Sequence, residues 1–172
     1  MKLEVDIPAK ETILTAGYPV RVARRGERWS ERCLGASCKE QGVYVIHHNG
    51  TIKYIGKTDG PQMSFGMRLR REFQESASQG KHIFPLLAAL SVPPEVFVFV
   101  FPAERIRDAV RLDGVKLSDF RRIQIFETVL IQLYEPEFQQ HHTKRVARKL
   151  KNDLGITDAQ VRALLAQVEG KG

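Results

Sequence analysis

The segment GVYVIHHNGTIKYIGKT, residues 42–58, constrains the fold of this chain more than any other stretch. Two short runs rich in Val, Ile and Tyr flank an Asn-Gly pair, and this pattern is a strong local signal for a β-hairpin. Each run carries one tyrosine, Tyr44 in the first and Tyr54 in the second. The sequence therefore predicts two antiparallel strands, and the length of the connecting loop decides which side chains share a face.

Two loop lengths give opposite placements of the two tyrosines. A two-residue Asn49-Gly50 loop pairs Tyr44 with Ile55 and puts the tyrosines on opposite faces. A three-residue loop that includes His48, with Gly50 in the left-handed conformation, pairs Tyr44 directly with Tyr54. We expect the three-residue loop, because two adjacent hydroxyls at the rim of one face are typical of a functional site. The tyrosine face would then include Ile46 and Ile52, and the other face Val43, Val45 and Ile55.

Three further segments complete an expected α+β fold. Residues 64–80 carry apolar side chains at four-residue spacing, which predicts an amphipathic helix. The run VFVFVF, residues 96–101, predicts a buried third strand. Residues 119–134 predict a long helix that Ser118 caps. We therefore expect a small three-stranded antiparallel sheet flanked by helices, within one domain over residues 41–140.

The length of the chain favours this single domain with an extension at each end, because 172 residues suffice for one core and hardly for two. Residues 1–40 show no clear periodicity, and their arginines gather around Trp29. This extension either follows a phosphate backbone or is a solvated segment that Trp29 anchors to the core, and the second is favoured. Residues 141–172 predict two short helices, which suit a packed basic appendage better than a helix-turn-helix.

The charge of the chain bears on the kind of partner that it binds. The 27 Lys and Arg against 20 Asp and Glu give a net charge of +7, which suits a polyanion such as nucleic acid. A basic cluster in the C-terminal extension is expected to bind phosphates and includes Lys144, Arg145, Arg148 and Lys149.

The N-terminal sequence lacks the apolar core of a secretory signal, and the apolar run at residues 96–101 is too short to cross a bilayer. We therefore expect a soluble cytoplasmic protein without membrane contact.

Glu127 occupies an unusual position in the helix predicted over residues 119–134. Steps of three and four residues place it on one stripe with Ile123 and Leu130. A carboxylate in an apolar stripe requires a partner, because burying an unpaired charge is costly. That partner is an arginine, a hydrogen-bond network or a bound cation, and Arg68 is the candidate for a buried ion pair.

Four motifs in order make this chain resemble the GIY-YIG endonuclease superfamily, which includes homing endonucleases, some restriction enzymes and the N-terminal nuclease domain of the bacterial excision-repair incision subunit. GVY in the first strand is similar to the first motif, and YIG in the second strand to the second. MRLRREF is similar to the helix that carries the family arginine, here Arg68. FETVLIQLYEPEF is similar to the segment that carries the family glutamate, here Glu127. Lys57 matches a lysine of the excision-repair branch, and the resemblance covers residues 42–139.

The resemblance implies metal-dependent hydrolysis of phosphodiester bonds in DNA. By the family scheme Tyr44 is the general base for water, and Lys57 or the metal eases the loss of a proton whose reference pKa is near 10. Tyr54 would orient the water or the phosphate. Arg68 would bind the scissile phosphate, and Glu127 would hold one divalent metal, Mg²⁺ or Mn²⁺, beside the leaving oxygen.

The resemblance also implies contacts with nucleic acid around these residues. Gly56 would let the backbone approach the phosphate, and Arg70 and Arg71 would bind nucleic acid beside it. Two positions depart from the family pattern. Many members carry a histidine four residues after the arginine and an asparagine three residues after the proline, where this chain has Glu72 and Gln139. These departures bear on proton transfer and on the positioning of the phosphate.

Three functions are compatible with these residues. The first is a metal-dependent endonuclease on DNA, and the second is a nucleic-acid-binding module that keeps the fold without turnover. The third is a structural protein whose tyrosines and Glu127 are core groups, and it explains the four ordered motifs least well. The sequence leaves open whether the nucleic acid is duplex DNA, single-stranded DNA or RNA, and also the sequence specificity, the biological role and the oligomeric state.

Overall fold

The computed structural model describes residues 2–58, 60–78, 83–93 and 95–139, and residue 159. Over these ranges the chain has an α+β fold with antiparallel sheets, as the sequence predicts. In this part of the chain no helix combines the length and the apolar character needed to cross a membrane. The two helices predicted within residues 141–172 lie outside the described residues, apart from residue 159, and so does the predicted basic cluster Lys144, Arg145, Arg148 and Lys149.

The strands of the described ranges form two antiparallel sheets. They are β1 (Leu3–Val5), β2 (Tyr18–Val20), β3 (Gly42–His48), β4 (Thr51–Thr58), β5 (Val96–Pro102) and β6 (Val110–Leu112). Strands β1 and β6 pair with each other, and the other four form one sheet in the order β2-β5-β3-β4. The predicted three-stranded sheet is therefore wrong by one strand. Strand β2 was missed because its three residues include Pro19, which is tolerated at the edge of a sheet but is a poor strand signal.

The helices of the described ranges cover both faces of this four-stranded sheet. They are α1 (Lys10–Thr15), α2 (Phe65–Phe73), α3 (Glu75–Ser78), α4 (Ile83–Leu90), α5 (Ala103–Ala109) and α6 (Asp119–Tyr134), with 3₁₀ segments at Glu31–Lys39 and Glu137–Gln139. Helix α6 has the predicted bounds, and the Ser118 hydroxyl caps it by accepting from the Arg121 backbone N–H. The helix predicted over residues 64–80 is broken at Gln74, whose backbone bridges to Ala23.

Residues 2–40 are not the irregular extension that the sequence suggested. Strand β1 pairs with β6, and β2 pairs with β5. Trp29 is buried and stacks on Phe73 with ring centroids 5.5 Å apart, which confirms its anchoring role. Short elements of three to nine residues separated by Pro and Gly leave no periodicity to read, and this explains the wrong expectation.

The four-stranded sheet separates two apolar cores, because successive side chains of a strand point to opposite faces. Val43 and Val45 of β3 face the core that contains α5 and α6. Tyr44 and Ile46 face the core that contains α2, α4 and Trp29. Strand β4 is an edge strand, so both cores end beside it.

The turn between β3 and β4 differs from the predicted three-residue loop. Asn49 and Gly50 alone form the connection, with φ angles of 48° and 70°, and His48 pairs with Thr51. Positive φ at both central residues is the geometry that an Asn-Gly turn favours, because it matches the twist of the strands. The expected loop is therefore wrong, and Ile52 joins the core opposite to the one predicted.

A β-bulge after this turn nevertheless brings the two tyrosines to one face. Lys53 is the extra residue, so that Ile46 pairs with Tyr54 and Tyr44 pairs with Gly56. One inserted residue shifts every later side chain of the strand to the other face. The shared face is confirmed, whereas the direct pairing of Tyr44 with Tyr54 is wrong, because the two rings are diagonal neighbours.

Candidate active site

Tyr44 and Tyr54 form the centre of the candidate site. Their ring centroids lie 6.1 Å apart and the rings are inclined at 42°. Tyr44 is on a central strand and is 0% exposed, whereas Tyr54 on the edge strand keeps part of its surface accessible. Only Tyr54 therefore lies at the rim of the face, where the sequence predicted both hydroxyls.

Gly56 makes room for the Tyr44 ring across strand β4. A Cβ atom at Gly56 would lie 2.4 Å from both Cζ and Oη of Tyr44, and 2.9 Å from Cε1 of Tyr54. Contacts this short do not occur between real side chains, so any larger residue would displace the rings. The close approach at Gly56 is thus made by tyrosine, and its predicted approach to a phosphate stays a prediction.

Arg68 and Glu72 of α2 enclose the Tyr44 hydroxyl. Arg68 Nε donates to Tyr44 Oη at 3.3 Å, and Tyr44 Oη donates to Glu72 Oε1 at 3.3 Å. Arg68 Nη2 also lies 3.0 Å from Glu72 Oε1, since residues four apart meet on one side of a helix. The Glu72 side chain is 6% exposed. These three residues, which we call the Tyr44 cluster, form a connected set of polar contacts under the sheet.

The surroundings of both tyrosines keep them protonated. Burial raises the pKa of Tyr44 well above its usual value, the nearby Glu72 raises it further, and Arg68 acts in the opposite direction. Burial, with contributions from Glu72 and Glu127, raises the pKa of Tyr54 to about 12. Its contacts with Tyr44 and Glu72 raise the pKa of Arg68, so its guanidinium stays charged. Neither phenol therefore ionises by itself near neutral pH.

Lys57 and Glu127 form a second ion pair on the opposite side of strand β4. Lys57 Nζ lies 3.4 Å from Glu127 Oε2, and the two side chains are 23% and 13% exposed. Ile123 and Leu130, one turn away from Glu127 in each direction, are buried, so the predicted apolar stripe is confirmed. Arg68, the candidate partner of Glu127 in a buried ion pair, is wrong: it pairs with Glu72 on its own helix.

A divalent metal fits this site only with help from substrate or water. The described residues contain no group of three or more His, Cys, Asp or Glu side chains placed to hold a metal ion. Glu127 does offer a partly exposed carboxylate, the hard oxygen ligand that Mg²⁺ prefers. Mg²⁺ commonly binds through one or two carboxylates and completes its shell with waters and phosphate oxygens. A single protein ligand at Glu127 is compatible with that mode of binding.

Gln139 and Glu72 have structural partners that sequence reasoning missed. The Ile55 backbone N–H donates to Gln139 Oε1 at 3.0 Å, and Gln139 Nε2 donates to the Ile55 carbonyl oxygen. Gln139 therefore fixes the strand segment that carries Tyr54 and Gly56. The four-residue spacing of Arg68 and Glu72 was a readable signal for their contact, but nothing local in the sequence connects Gln139 with a strand 84 residues away.

Other predicted contact residues lie around this centre. Arg70 and Arg71 are exposed in the last turn of α2, and Arg70 Nε donates to Gln74 Oε1 at 3.3 Å. The structure thus gathers the predicted catalytic residues at both faces of β4 and puts two exposed arginines on the adjoining helix. The gathered catalytic residues are Tyr44, Tyr54, Lys57, Arg68 and Glu127, and Gly56, predicted to contact nucleic acid, lies among them.

Comparisons with known proteins return no match: no family model, no curated protein and no solved structure is similar to this chain at a significant level. The chemistry of the candidate site is therefore inferred from its own residues and their geometry.

Proposed function

We propose that this chain is a metal-dependent endonuclease of the GIY-YIG type, which hydrolyses phosphodiester bonds in DNA. The observation that carries the proposal is the meeting of the Tyr44 cluster, Tyr54 and the Lys57–Glu127 pair around one edge strand. Hydrolysis of a phosphodiester requires activation of water, neutralisation of charge at phosphorus and stabilisation of the leaving oxygen. The residues around β4 are suited to each of these three tasks.

Arg68 is the group that would bind the scissile phosphate. Its side chain is 28% exposed, and its planar guanidinium matches two phosphate oxygens. An incoming phosphate competes with Tyr44 and Glu72 for the same donors. Substrate binding would therefore draw the guanidinium away from the Tyr44 hydroxyl and open that hydroxyl to water.

Glu72 would be the final acceptor of the proton removed from water. Tyr44 does not ionise by itself, because its pKa is raised by burial and by Glu72. As water attacks phosphorus, Tyr44 Oη accepts a proton from the water and passes its own proton to Glu72 Oε1, to which it already donates at 3.3 Å. No free phenolate forms, and the proton ends on the carboxylate. In this mechanism Glu72 takes the place of the family histidine.

Glu127 would hold the metal, and Lys57 would hold Glu127 in position. A bound Mg²⁺ or Mn²⁺ would stabilise negative charge on the leaving oxygen. Lys57 offers a second positive charge at the same carboxylate, 3.4 Å away, and limits the repulsion between Glu127 and an approaching phosphate. Burial raises the pKa of Tyr54, and the carboxylates of Glu72 and Glu127 both raise it further, so its hydroxyl is near enough to interact with both. Tyr54 would orient the attacking water.

A nucleic-acid-binding module without turnover is the second candidate. It is favoured by the complete burial of Tyr44 and by the contacts that already occupy Arg68. The two candidates differ in one respect only, because a binding module retains DNA without cutting it.

Cleavage assays with the purified chain test the proposal. Supercoiled, linear and single-stranded DNA, and an RNA of the same sequence, are incubated with Mg²⁺ or with EDTA. We expect Mg²⁺-dependent cutting of DNA, which Glu127→Gln lowers roughly 10³-fold, the size of loss seen when one main electrostatic stabiliser is removed. Asp119→Asn, a carboxylate change on the exposed start of the same helix, is the matched control and should cut normally.

The other outcomes separate the candidates. DNA that is bound but stays intact with every metal supports the binding module. Cutting that survives both EDTA and Glu127→Gln would contradict the metal-dependent mechanism, provided that the variant melts near the wild-type temperature.

A further inference from the structure

The loop between β2 and the first 3₁₀ segment, residues 21–30, is fastened to the end of helix α2. The Ala23 backbone N–H donates to the Phe73 carbonyl at 2.7 Å, and the Glu75 N–H donates to the Ala23 carbonyl at 3.4 Å. Trp29 stacks on Phe73 with an interplanar angle of 14°. Arg24 Nη2 donates to the Ala88 carbonyl at 2.7 Å. Backbone and aromatic contacts therefore fix the loop against the end of α2, and the Arg24 contact fixes it against α4.

Two arginines of this fastened loop have no compensating charge in the described part of the chain. The one glutamate of the loop, Glu27, lies 2.6 Å from Arg21 and accepts from the backbone N–H of Arg24 at 2.9 Å. Arg25 and Arg28 are exposed and form no ion pair with any described residue. Unpaired arginines held on a fixed backbone retain their charge for a ligand at little further ordering cost.

The exposed arginines of α2 adjoin this loop. Arg70 and Arg71 lie in the last turn of the helix, directly before Phe73, on which Trp29 stacks. Arg68, two residues before Arg70, leads from there into the candidate active site. Four exposed arginines thus lie on two connected segments, one of which also carries Arg68.

We propose that Arg25, Arg28, Arg70 and Arg71 form one phosphate-binding surface, here called the arginine surface, which holds the backbone of the nucleic acid next to the active site. The proposal rests on the proposed function for the identity of the ligand. Arginine forks bind successive phosphate groups without reading bases. Stacking on bases is not part of this surface, because the Trp29 ring is buried against Phe73. The arginine surface would therefore add affinity that depends on salt and not on sequence.

Paired charge removals test the arginine surface. Arg25→Gln with Arg28→Gln removes two positive charges from it. Arg111→Gln with Lys116→Gln removes two exposed charges near the other, two-stranded sheet, so that both variants carry the same net charge. Binding of a labelled DNA duplex is measured in EDTA between about 50 and 200 mM salt, the range over which phosphate contacts are lost.

We expect the loop variant to bind roughly tenfold more weakly and to lower the slope of log K against log salt by about one to two, since each phosphate contact contributes about 0.9. The control variant should match the wild type. If both variants lose the same affinity for DNA, the loss comes from the lower net charge and the arginine surface is contradicted. An unchanged salt slope in the loop variant would also contradict it.

The same measurements keep this proposal separate from the proposed function. A wild-type protein that cuts DNA while the loop variant keeps its salt slope contradicts the arginine surface alone. A wild-type protein that never cuts, but loses binding through the loop variant alone, contradicts the proposed function and supports the surface. Melting temperatures of both variants near that of the wild type show that binding losses do not come from unfolding.

Discussion

The Arg68–Glu72 pair and the Lys57–Glu127 pair each join a cation to a carboxylate beside strand β4, but on opposite faces of it. Arg68 and Glu72 belong to one helix, lie 3.0 Å apart and share the buried Tyr44 hydroxyl as a third member. Lys57 and Glu127 come from a strand and a helix and lie 3.4 Å apart. The Glu127 side chain is 13% exposed, against 6% for Glu72. The first pair belongs to a fixed network, and the second joins two separate elements.

This difference indicates how the two faces would share the work of the site. A buried network has low local dielectric and well-defined partners, so it suits proton transfer between fixed atoms. A partly hydrated lysine on a flexible stem loses little when its partner turns to another ligand. The Tyr44–Glu72 contact would thus be the permanent part of the site, and Glu127 the part that takes up a metal beside Lys57.

The largest expected effect is a difference in stability between two matched variants, one in each ion pair. Glu72→Gln should lower the free energy of unfolding by roughly 2–3 kcal/mol, somewhat below the 3–5 kcal/mol of a fully buried broken pair, because Arg68 keeps some contact with water. Glu127→Gln should cost less than about 1 kcal/mol, since Lys57 can rehydrate. Urea denaturation of both variants decides it, and equal losses would mean that the two pairs are held alike.

A smaller effect comes from Gly56, which acts on the tyrosines of the first face. Gly56→Ala should destabilise the protein by roughly 2 kcal/mol, because the added Cβ would displace the rings of Tyr44 and Tyr54. Gly60→Ala is the control, since among the described residues outside its chain neighbours its Cβ would meet Met63 alone, at an ordinary 3.5 Å. Thermal melting of the two variants measures the difference. If both melt alike, the close packing of Tyr44 over β4 is wrong.

The smallest effect concerns Tyr54, whose pKa both carboxylates help to raise, and the effect is measured at alkaline pH. Folded Tyr54 has a pKa of about 12, above the unfolded value near 10, so the folded state holds its proton longer. Stability is therefore full below pH 10 and falls as the pH rises towards 12. Between pH 10 and 11 the wild type should lose about 1 kcal/mol more than Tyr54→Phe. Urea denaturation at each pH measures the stability of both proteins. If both lose the same stability between pH 10 and 11, the burial of Tyr54 is contradicted.

The parts of the fold that the sequence predicted well depend on local signals. The bounds of α6 follow from the Ser118 cap and the apolar stripe, and β5 follows from an unbroken β-branched and aromatic run. The shared face of Tyr44 and Tyr54 was also predicted, but for the wrong reason. A short turn followed by a bulge at Lys53 gives the same parity as a longer loop, and parity is all that the side-chain pattern reveals.

The parts that the sequence did not predict depend on contacts between distant segments. Strand β2 exists because β5 offers it a partner about 80 positions later, and its own three residues are a poor strand signal because Pro19 interrupts them. Glu127 was recognised as needing a partner, yet the choice of Lys57 over Arg68 depends on which face of β4 each helix covers. Tertiary packing decides such choices, and periodicity does not record them.

The contact of Gln139 with Ile55 has a consequence for how the protein behaves at high concentration. Strand β4 is the long outer edge of the sheet, and an open edge is a template onto which a second chain can add a strand and begin aggregation. The Gln139 amide accepts from the Ile55 N–H and donates to its carbonyl, as a neighbouring strand would. The other edge, β2, is three residues long and contains Pro19, which cannot donate. One glutamine side chain thus helps to keep the strand that carries Tyr54 and Lys57 from being covered by another copy of the chain.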